Sequence, residues 1–249
     1  MRALRGLLEL SWIETKIFLR EPLGVIGSLG MPLLLFLIFG RMLRGVARPS
    51  AVLAGLPFNI TIVSALLIAL GSVQSLIAIM AIYREGGILK RLCATPLSPV
   101  SILGAHVLVK LALTLASLLL LIVAGKRVLP GALPPNAVSF SVAVLVGTLS
   151  ILALGFVLAS LVPTARFAQP ISAAVLYPMI ALSGLFFPLS RLPTPLRALA
   201  AVLPTTHAVS LMAGVWAGEG WWAQWTTVAA LAAIFAVCVA ISARWFRWE

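Results

Sequence analysis

The chain has 249 residues, of which 62% are hydrophobic and only 10% are charged, and its net charge is +12. Soluble domains are about half apolar and about a quarter charged, so this composition excludes a water-soluble globular protein and indicates an integral membrane protein. The lysines and arginines lie between apolar runs, where they set topology and meet anionic lipid headgroups. They do not form the clustered patch of a nucleic-acid-binding protein.

The N-terminal stretch, residues 1–21, is predicted to be an amphipathic helix in the membrane interface. Its charged residues fall mostly on one face, and its apolar residues recur at helical spacing on the other: Leu4, Leu7, Leu8, Trp12 and Phe18. Pro22 ends this helix. Such a helix either anchors the chain or presents a docking surface to a cytoplasmic partner.

Six segments are long and apolar enough to be predicted as membrane-spanning helices, which need about 20 apolar residues. They are Leu23–Leu43, Ile60–Ile82, Val100–Ala124, Ala137–Val162, Ala168–Pro188 and Trp222–Ala243. The first and fifth contain prolines, which membrane helices tolerate because neighbouring groups satisfy the freed carbonyl. The predicted fold class is therefore an all-α integral membrane protein with six transmembrane helices.

The distribution of basic residues predicts the orientation. With the N-terminus inside, ten lysines and arginines fall on the inner side and seven on the outer side, with Lys110 left inside a span. An excess of basic residues marks the cytoplasmic side. Both termini are therefore predicted to be cytoplasmic.

The connector after the second predicted span, residues 84–97, is predicted to hold a short amphipathic helix between two turns. The pair Gly86–Gly87 permits the first turn, and Pro96 ends the helix. The helix combines apolar and basic side chains: Ile88, Leu89, Lys90, Arg91 and Leu92. A surface of this kind either inserts into a groove of another protein or rests on the membrane.

The stretch 190–220 is too long and too apolar for a plain loop. It contains two short apolar pieces, Leu196–Leu203 and Ala208–Trp216, separated by Pro204–His207. Neither piece is long enough to span a membrane, so re-entrant or interfacial helices on the outer side are predicted. His207 is expected to be a hydrogen-bonded packing residue, and no metal site is predicted.

No motif of an enzyme is present. The sequence has no GxxxxGK[ST] phosphate loop and no Asp, so ATP and its metal ion have no predicted site in this chain. The acids are placed at segment ends or in terminal regions: Glu9, Glu14, Glu21, Glu85, Glu219 and Glu249. We therefore expect no catalytic residues and no cofactor.

His106 and Lys110 are the candidates for an ion-coupled mechanism, which uses buried ionisable groups. They are four residues apart in the third span and share a helix face. No buried acid is predicted beside them, which argues against a proton pathway. Lys110 is expected to extend back to the inner interface.

Three segments carry a resemblance to a known family: ETKIFLREPLGVIGSLGMPLLLFLIFG, YREGGILKRLCATPLSPVSILGAHVLVK and LSGLFFPLSRLPTPLRALAAVLPTTHAV. Together they resemble the permease subunits of ABC-2 type transporters, over nearly the whole chain. The most similar subgroup comprises bacterial drug-resistance and small-molecule exporters. The resemblance implies six spans with cytoplasmic ends in the inner membrane, a dimer of identical or closely related permeases, and a separate ATPase subunit that binds ATP and Mg.

The resemblance also implies roles for three regions. The stretch 1–21 corresponds to the interface helix, with Arg20 and Glu21 at its junction with the first span, and 190–220 corresponds to outer re-entrant helices. The connector corresponds to the coupling helix that enters a cleft of the ATPase, through Arg84, Glu85, Ile88, Leu89, Lys90, Arg91, Leu92, Thr95, Pro96 and Leu97. Relatives often have an acid or a small polar residue where this chain has Ile88 or Lys90.

The function expected from this resemblance is ATP-driven export of amphipathic small molecules, drugs or lipids. The path would lie between two copies, lined by their first, second and fifth spans. Polar residues on these spans are candidate path residues or helix-packing residues: Asn59, Ser64, Gln74, Gln169 and Tyr177. The alternatives are export of a polysaccharide or lipid-linked glycan, and an ion-coupled secondary transporter.

Overall fold

A computed structural model describes residues 2–20, 22–45, 59–88, 91, 99–128, 134–162 and 164–245. Several predicted site residues lie outside these ranges: Glu21, Leu89, Lys90, Leu92, Thr95, Pro96 and Leu97. Over the described residues the chain is helical and contains no strand.

The helices follow one another in a simple order. They are α1 (Arg2–Arg20), α2 (Pro22–Val25), a π-helical segment (Ile26–Gly30), α3 (Met31–Gly45), α4 (Ile60–Glu85), α5 (Pro99–Val128), α6 (Ala137–Leu161), α7 (Ala165–Ala181), a 3₁₀ turn (Leu189–Arg191), α8 (Thr194–Ala200), α9 (Pro204–Trp216) and α10 (Trp225–Trp245).

Four helices of the described chain are individually long and apolar enough to cross a membrane: α4, α5, α6 and α10. They correspond to the second, third, fourth and sixth predicted spans. The first and fifth predicted spans do not form single long helices. The chain is therefore a multi-pass membrane protein.

The first predicted span is divided into α2, the π-helical segment and α3. Pro32 lies just after the π-helical segment, and a proline cannot donate to the carbonyl four residues before it. Ser28 lies at that position, and its Oγ donates a 2.7 Å hydrogen bond to the Gly24 carbonyl oxygen. The altered backbone geometry accommodates the proline without ending the apolar run.

The fifth predicted span is shorter than expected. The sequence predicts a helix through Pro188, but α7 ends at Ala181. Gly184 adopts a left-handed conformation with φ +83°, which helices do not contain. The chain then turns towards the two short helices α8 and α9.

The bent pair of α8 and α9 occupies the stretch that the sequence predicts as two short apolar helices. The two helices meet at 78°, and the bend falls at residues 201–203 rather than at Pro204–His207. Pro204 begins α9, since its fixed φ suits the first helical position. Thr205 Oγ1 donates to the Met179 carbonyl oxygen at 3.0 Å, and His207 Nε2 lies 2.9 Å from the Ala201 carbonyl oxygen, so His207 is hydrogen-bonded as predicted.

Helix α6 lies at the centre of the bundle and packs against α4, α5, α9 and α10. Two glycines allow the closest approaches. A Cβ atom at Gly147 would lie 2.8 Å from the Ala208 Cβ, and one at Gly155 would lie 2.9 Å from the Val73 Cγ1. Small residues let membrane helices approach in this way.

Candidate functional site

The last turn of α4 is bound to the end of α6. Arg84 Nη1 donates to the Val162 carbonyl oxygen at 2.8 Å, and Nη2 donates to the Ala159 carbonyl oxygen at 3.0 Å. The last carbonyls of a helix have no partner within it, and basic side chains stabilise this end. Arg84 therefore caps α6.

The next residue binds the start of α7. Glu85 Oε2 accepts a 2.9 Å hydrogen bond from the Ala165 backbone N–H. A carboxylate at a helix N-terminus satisfies an unpaired N–H and is favoured by the helix dipole. Arg84 and Glu85 together form what we call the α4 latch, which ties the end of α4 to both sides of the α6–α7 connection.

The chain turns directly after the α4 latch. Gly87 has φ +66°, and Ile88 and Arg91 are exposed. The resemblance implies that Arg84 and Glu85 contact an ATPase subunit, which stays a prediction. In this structure both side chains make hydrogen bonds within the chain, so the last turn of α4 is bound to the end of α6 and the start of α7.

A cavity of about 460 Å³ lies at the same end of the bundle, where α4 ends and α5 begins. We call this the connector end. The walls of the cavity come from α1, the segment between α2 and α3, α4, α5 and α7, and they include the predicted path residues Gln74 and Gln169. Most of the remaining wall is apolar, with Phe18, Ile79 and Ile82 among its residues.

Glu14 of α1 points into this cavity. Its side chain is buried, and Oε1 accepts a 2.7 Å hydrogen bond from the Tyr83 hydroxyl. His106 Nε2 lies 3.7 Å from the same oxygen, and the Tyr83 and His106 rings meet edge to face at 5.6 Å. Burial raises the pKa of Glu14 above its usual value, against the opposing effects of the Tyr83 hydrogen bond and the Lys110 charge.

Lys110 is buried in the wall of the cavity. Its Nζ donates a 2.6 Å hydrogen bond to Ser75 Oγ on α4 and lies 5.4 Å from the centroid of the Phe18 ring. That Lys110 extends to the inner interface stays a prediction. The aromatic face and the hydroxyl together compensate for part of the cost of burying an ammonium group.

The prediction that no acid lies beside His106 and Lys110 is wrong. Glu14 belongs to α1, which packs against α5. Positions 7, 11, 14 and 18 share one face of α1 by helical spacing, so Glu14 lies on the face that carries Phe18. This spacing is the signal in the sequence that could have placed an acid in the protein interior.

The other predicted path residues do not reach the cavity. Asn59 caps α4, because its Oδ1 accepts from the N–H groups of Thr61 and Ile62. Ser64 is buried in the helical core, and Tyr177 is 60% exposed on α7. At the end of α1, Arg20 is exposed.

A comparison with protein families identifies the chain. The family model described as ABC-2 type transporter matches residues 5–216. The chain belongs to the ABC-2 type transporter family. No curated protein matches it. As an ABC-2 permease it acts with an ABC ATPase subunit, and the matched range runs from α1 through α9, so it includes the α4 latch and the cavity.

Proposed function

We propose that this ABC-2 permease exports amphipathic small molecules, drugs or lipids, driven by ATP hydrolysis on a separate subunit that holds ATP and Mg. The observation that carries this proposal is the cavity at the connector end, whose wall combines a mostly apolar surface with eight polar or ionisable side chains among its seventeen described residues. Such walls suit a molecule with an apolar body and a polar head. Among the described wall residues the aromatic ones are Phe18 and Tyr83, too few for the row of aromatic side chains that glycan export would favour.

The architecture of the working transporter is part of the same proposal. Two copies, identical or closely related, form a central path, with both termini of each in the cytoplasm of a bacterium and the spans in its inner membrane. The segmented first span and α7 each cross the bilayer, which completes six spans. The α8–α9 pair enters from the outer side and covers the exit.

The α4 latch suggests how ATP hydrolysis acts on the spans. In this proposal the connector, residues 84–97, sits in a cleft of the ATPase and moves when the ATPase subunits close on ATP. Because Arg84 and Glu85 bind the ends of α6 and α7, displacement of the connector moves α4, α6 and α7 as a unit. Substrate enters laterally from the inner leaflet and leaves on the outer side.

The test begins with purification of the tagged permease from its native membrane in mild detergent. We expect an ATPase subunit with a phosphate loop to be recovered with it, and the double charge reversal K90E/R91E to lose that subunit. The matched control is K126E/R127E, which reverses the same kinds of charge at the other end of α5. Both forms must remain dimeric for the comparison to count.

Export is then measured in proteoliposomes that contain the permease and its ATPase. We expect ATP-dependent movement of a fluorescent amphipathic dye away from the side that carries the ATPase. Failure to recover an ATPase from dimeric protein would contradict the proposed coupling. ATP-dependent movement of a lipid-linked glycan, without movement of the dye, would show that the substrate is a glycan and not an amphipathic small molecule.

A further inference from the structure

The cavity at the connector end contains an unusual group of ionisable side chains for a membrane interior. Among the described residues that line it, the ionisable ones are Glu14 of α1, Tyr83 of α4, and His106 and Lys110 of α5. The segment between α2 and α3 and the helix α7 contribute only neutral side chains. Intramembrane ionisable groups are costly, and they commonly mark binding sites or transport pathways.

His106 has an unmet hydrogen-bonding requirement. Its side chain is 2% exposed, and Nε2 has no hydrogen-bond partner among the described residues. The distance of 3.7 Å to Glu14 Oε1 is too long for a hydrogen bond. Buried polar atoms in native structures are nearly always paired, so this nitrogen indicates that a ligand atom belongs in the cavity.

Lys110 supplies a buried positive charge on the same helix face. Its side chain is 3% exposed, and a buried cation requires a negative counter-charge. Glu14 provides one, and its Oε1 also accepts a hydrogen bond from Tyr83. The His106 imidazole, the Lys110 ammonium group and the Glu14 carboxylate therefore line the same cavity.

The apolar part of the cavity wall continues to the exposed surface of the helix bundle. Ile82 lies on the wall and is 51% exposed, and Ile17 is 45% exposed. An alkyl chain can therefore pass from the cavity towards the lipid. Lys110 lies eight residues beyond Ile102, where the apolar span of α5 begins, which is about 12 Å of helix rise.

We infer that this cavity binds the acidic head, a carboxylate or a phosphate, of an amphipathic molecule. Lys110 and His106 bind the anionic oxygens, and Ile79 and Ile82 contact the apolar chain. The ligand replaces the Glu14 carboxylate as the counter-ion of Lys110, and Glu14 takes up one proton from the aqueous phase. This inference rests on the proposed function, to which it adds the chemical class of the head.

Proton uptake makes the inference sharply testable. Binding should be several-fold tighter at pH 5.5 than at pH 7.5, since a ligand that binds together with a proton is favoured by acid. The variant E14Q removes the competing carboxylate, so it should bind the anion more tightly than the parent at pH 7.5 and lose most of the pH dependence. A variant that merely disturbed the fold would bind more weakly. Its matched control is E9Q, an exposed glutamate on the same helix.

The experiment uses the purified full chain in phosphatidylcholine nanodiscs, with a twelve-carbon fatty acid that carries a photoreactive diazirine. Mass spectrometry locates the labelled peptides. We expect labelling on α4 and α5 beside the cavity, displaced by dodecanoate and by dodecyl phosphate but not by neutral dodecanol. The variant K110Q should reduce labelling about tenfold or more, whereas K126Q, an exposed lysine on the same helix, should not.

Three results would overturn the inference. The first is displacement of the label by dodecanol as effective as that by dodecanoate. The second is weaker labelling of E14Q than of the parent. The third is displacement by inorganic phosphate as effective as that by dodecyl phosphate, which would indicate a site for a free anion. The assay contains no ATPase. If the permease is purified with its ATPase but is not labelled, the proposed anion site alone is contradicted. If it is labelled but no ATPase is purified with it, the proposed function alone is contradicted.

Discussion

Arg84 Nη1 donates a 2.8 Å hydrogen bond to the carbonyl oxygen of Val162 and so joins the end of α4 to the end of α6. The two residues are 78 positions apart in the sequence. Because Arg84 is the first residue of the connector, it joins the part of the chain that meets the ATPase in our proposal to α6.

Removal of this link should uncouple ATP hydrolysis from transport. We expect R84A to reduce ATP-dependent transport about tenfold or more, because hydrogen bonds from a charged group contribute about 1.5–3 kcal/mol each. Recovery of the ATPase subunit should be unchanged. R84K, which keeps the charge but loses the two-pronged geometry, should be intermediate, and R166A, at an exposed position in the first turn of α7, should behave as the parent. If R84A lost the ATPase as K90E/R91E does, Arg84 would be a docking residue.

The close packing of α6 gives a second prediction: substitution of glycine by alanine should have opposite effects on stability at Gly147 and at Gly71. G147A places a methyl group 2.8 Å from the Ala208 Cβ and should lower stability by about 1–3 kcal/mol through overpacking. G71A meets nothing within 4 Å and should raise stability by up to about 1 kcal/mol, since alanine favours a helix over glycine. Thermal unfolding in one detergent measures both. Equal shifts would contradict the close approach of α6 and α9.

Asn59 should prove to be a structural residue. Its Oδ1 caps α4, so N59A should lower stability by about 1 kcal/mol, whereas N59D and N59S should retain most of it. Transport by N59D and N59S should match that of the parent. Asn136 caps α6 in the same way and serves as the comparison for the size of the loss. A transport defect in N59S without a change in stability would return Asn59 to the candidate path.

The hydrogen bond between Tyr83 and Glu14 makes the fourth prediction, which concerns pH. Burial raises the pKa of Glu14, so its contribution to stability falls as pH rises above the usual carboxyl range. The Tyr83 hydrogen bond lowers that pKa and offsets part of the loss. The destabilisation caused by Y83F should therefore be about 1.5–3 kcal/mol at pH values where Glu14 is ionised, and smaller at low pH where it is protonated.

The matched control for this measurement is Y177F. The chain has two tyrosines, and Tyr177 is 60% exposed, so its loss should change stability little at any pH. Unfolding of both variants is compared at pH 5 and pH 8. A Y83F effect that is the same at both values would show that Glu14 does not titrate in this range.

The long helices could be predicted from the sequence because length and apolarity are local properties. The four uninterrupted apolar helices and the two short helices α8 and α9 follow from these alone. The end of α7 could not be placed, since the apolar run continues to Pro188 although Gly184 adopts a left-handed conformation that no helix contains. The segmentation at Ile26–Gly30 is likewise a response of the backbone to Pro32 that hydropathy does not record.

The ionisable residues of the cavity could not be predicted from the sequence for a different reason. Glu14 lies in a terminal helix, and its position along the chain does not indicate that its side chain is buried. Its helical phase with Phe18 and the packing of α1 on α5 bring it to His106. The α4 latch is equally non-local, because nothing near Arg84 in the sequence indicates that its partners are backbone carbonyls at the end of α6.

The length of α7 bears on the lipid around the protein. Its 17 residues give about 25 Å of helix, against a hydrocarbon core of about 30 Å. Where α7 crosses the bilayer, the membrane must thin beside it, or the exposed Phe186 and Phe187 must cover the difference. Either response carries an elastic cost that grows with acyl-chain length. The permease should therefore be more stable in bilayers of short-chain lipids than in bilayers of long-chain lipids, so that membrane thickness itself becomes a variable that sets its stability.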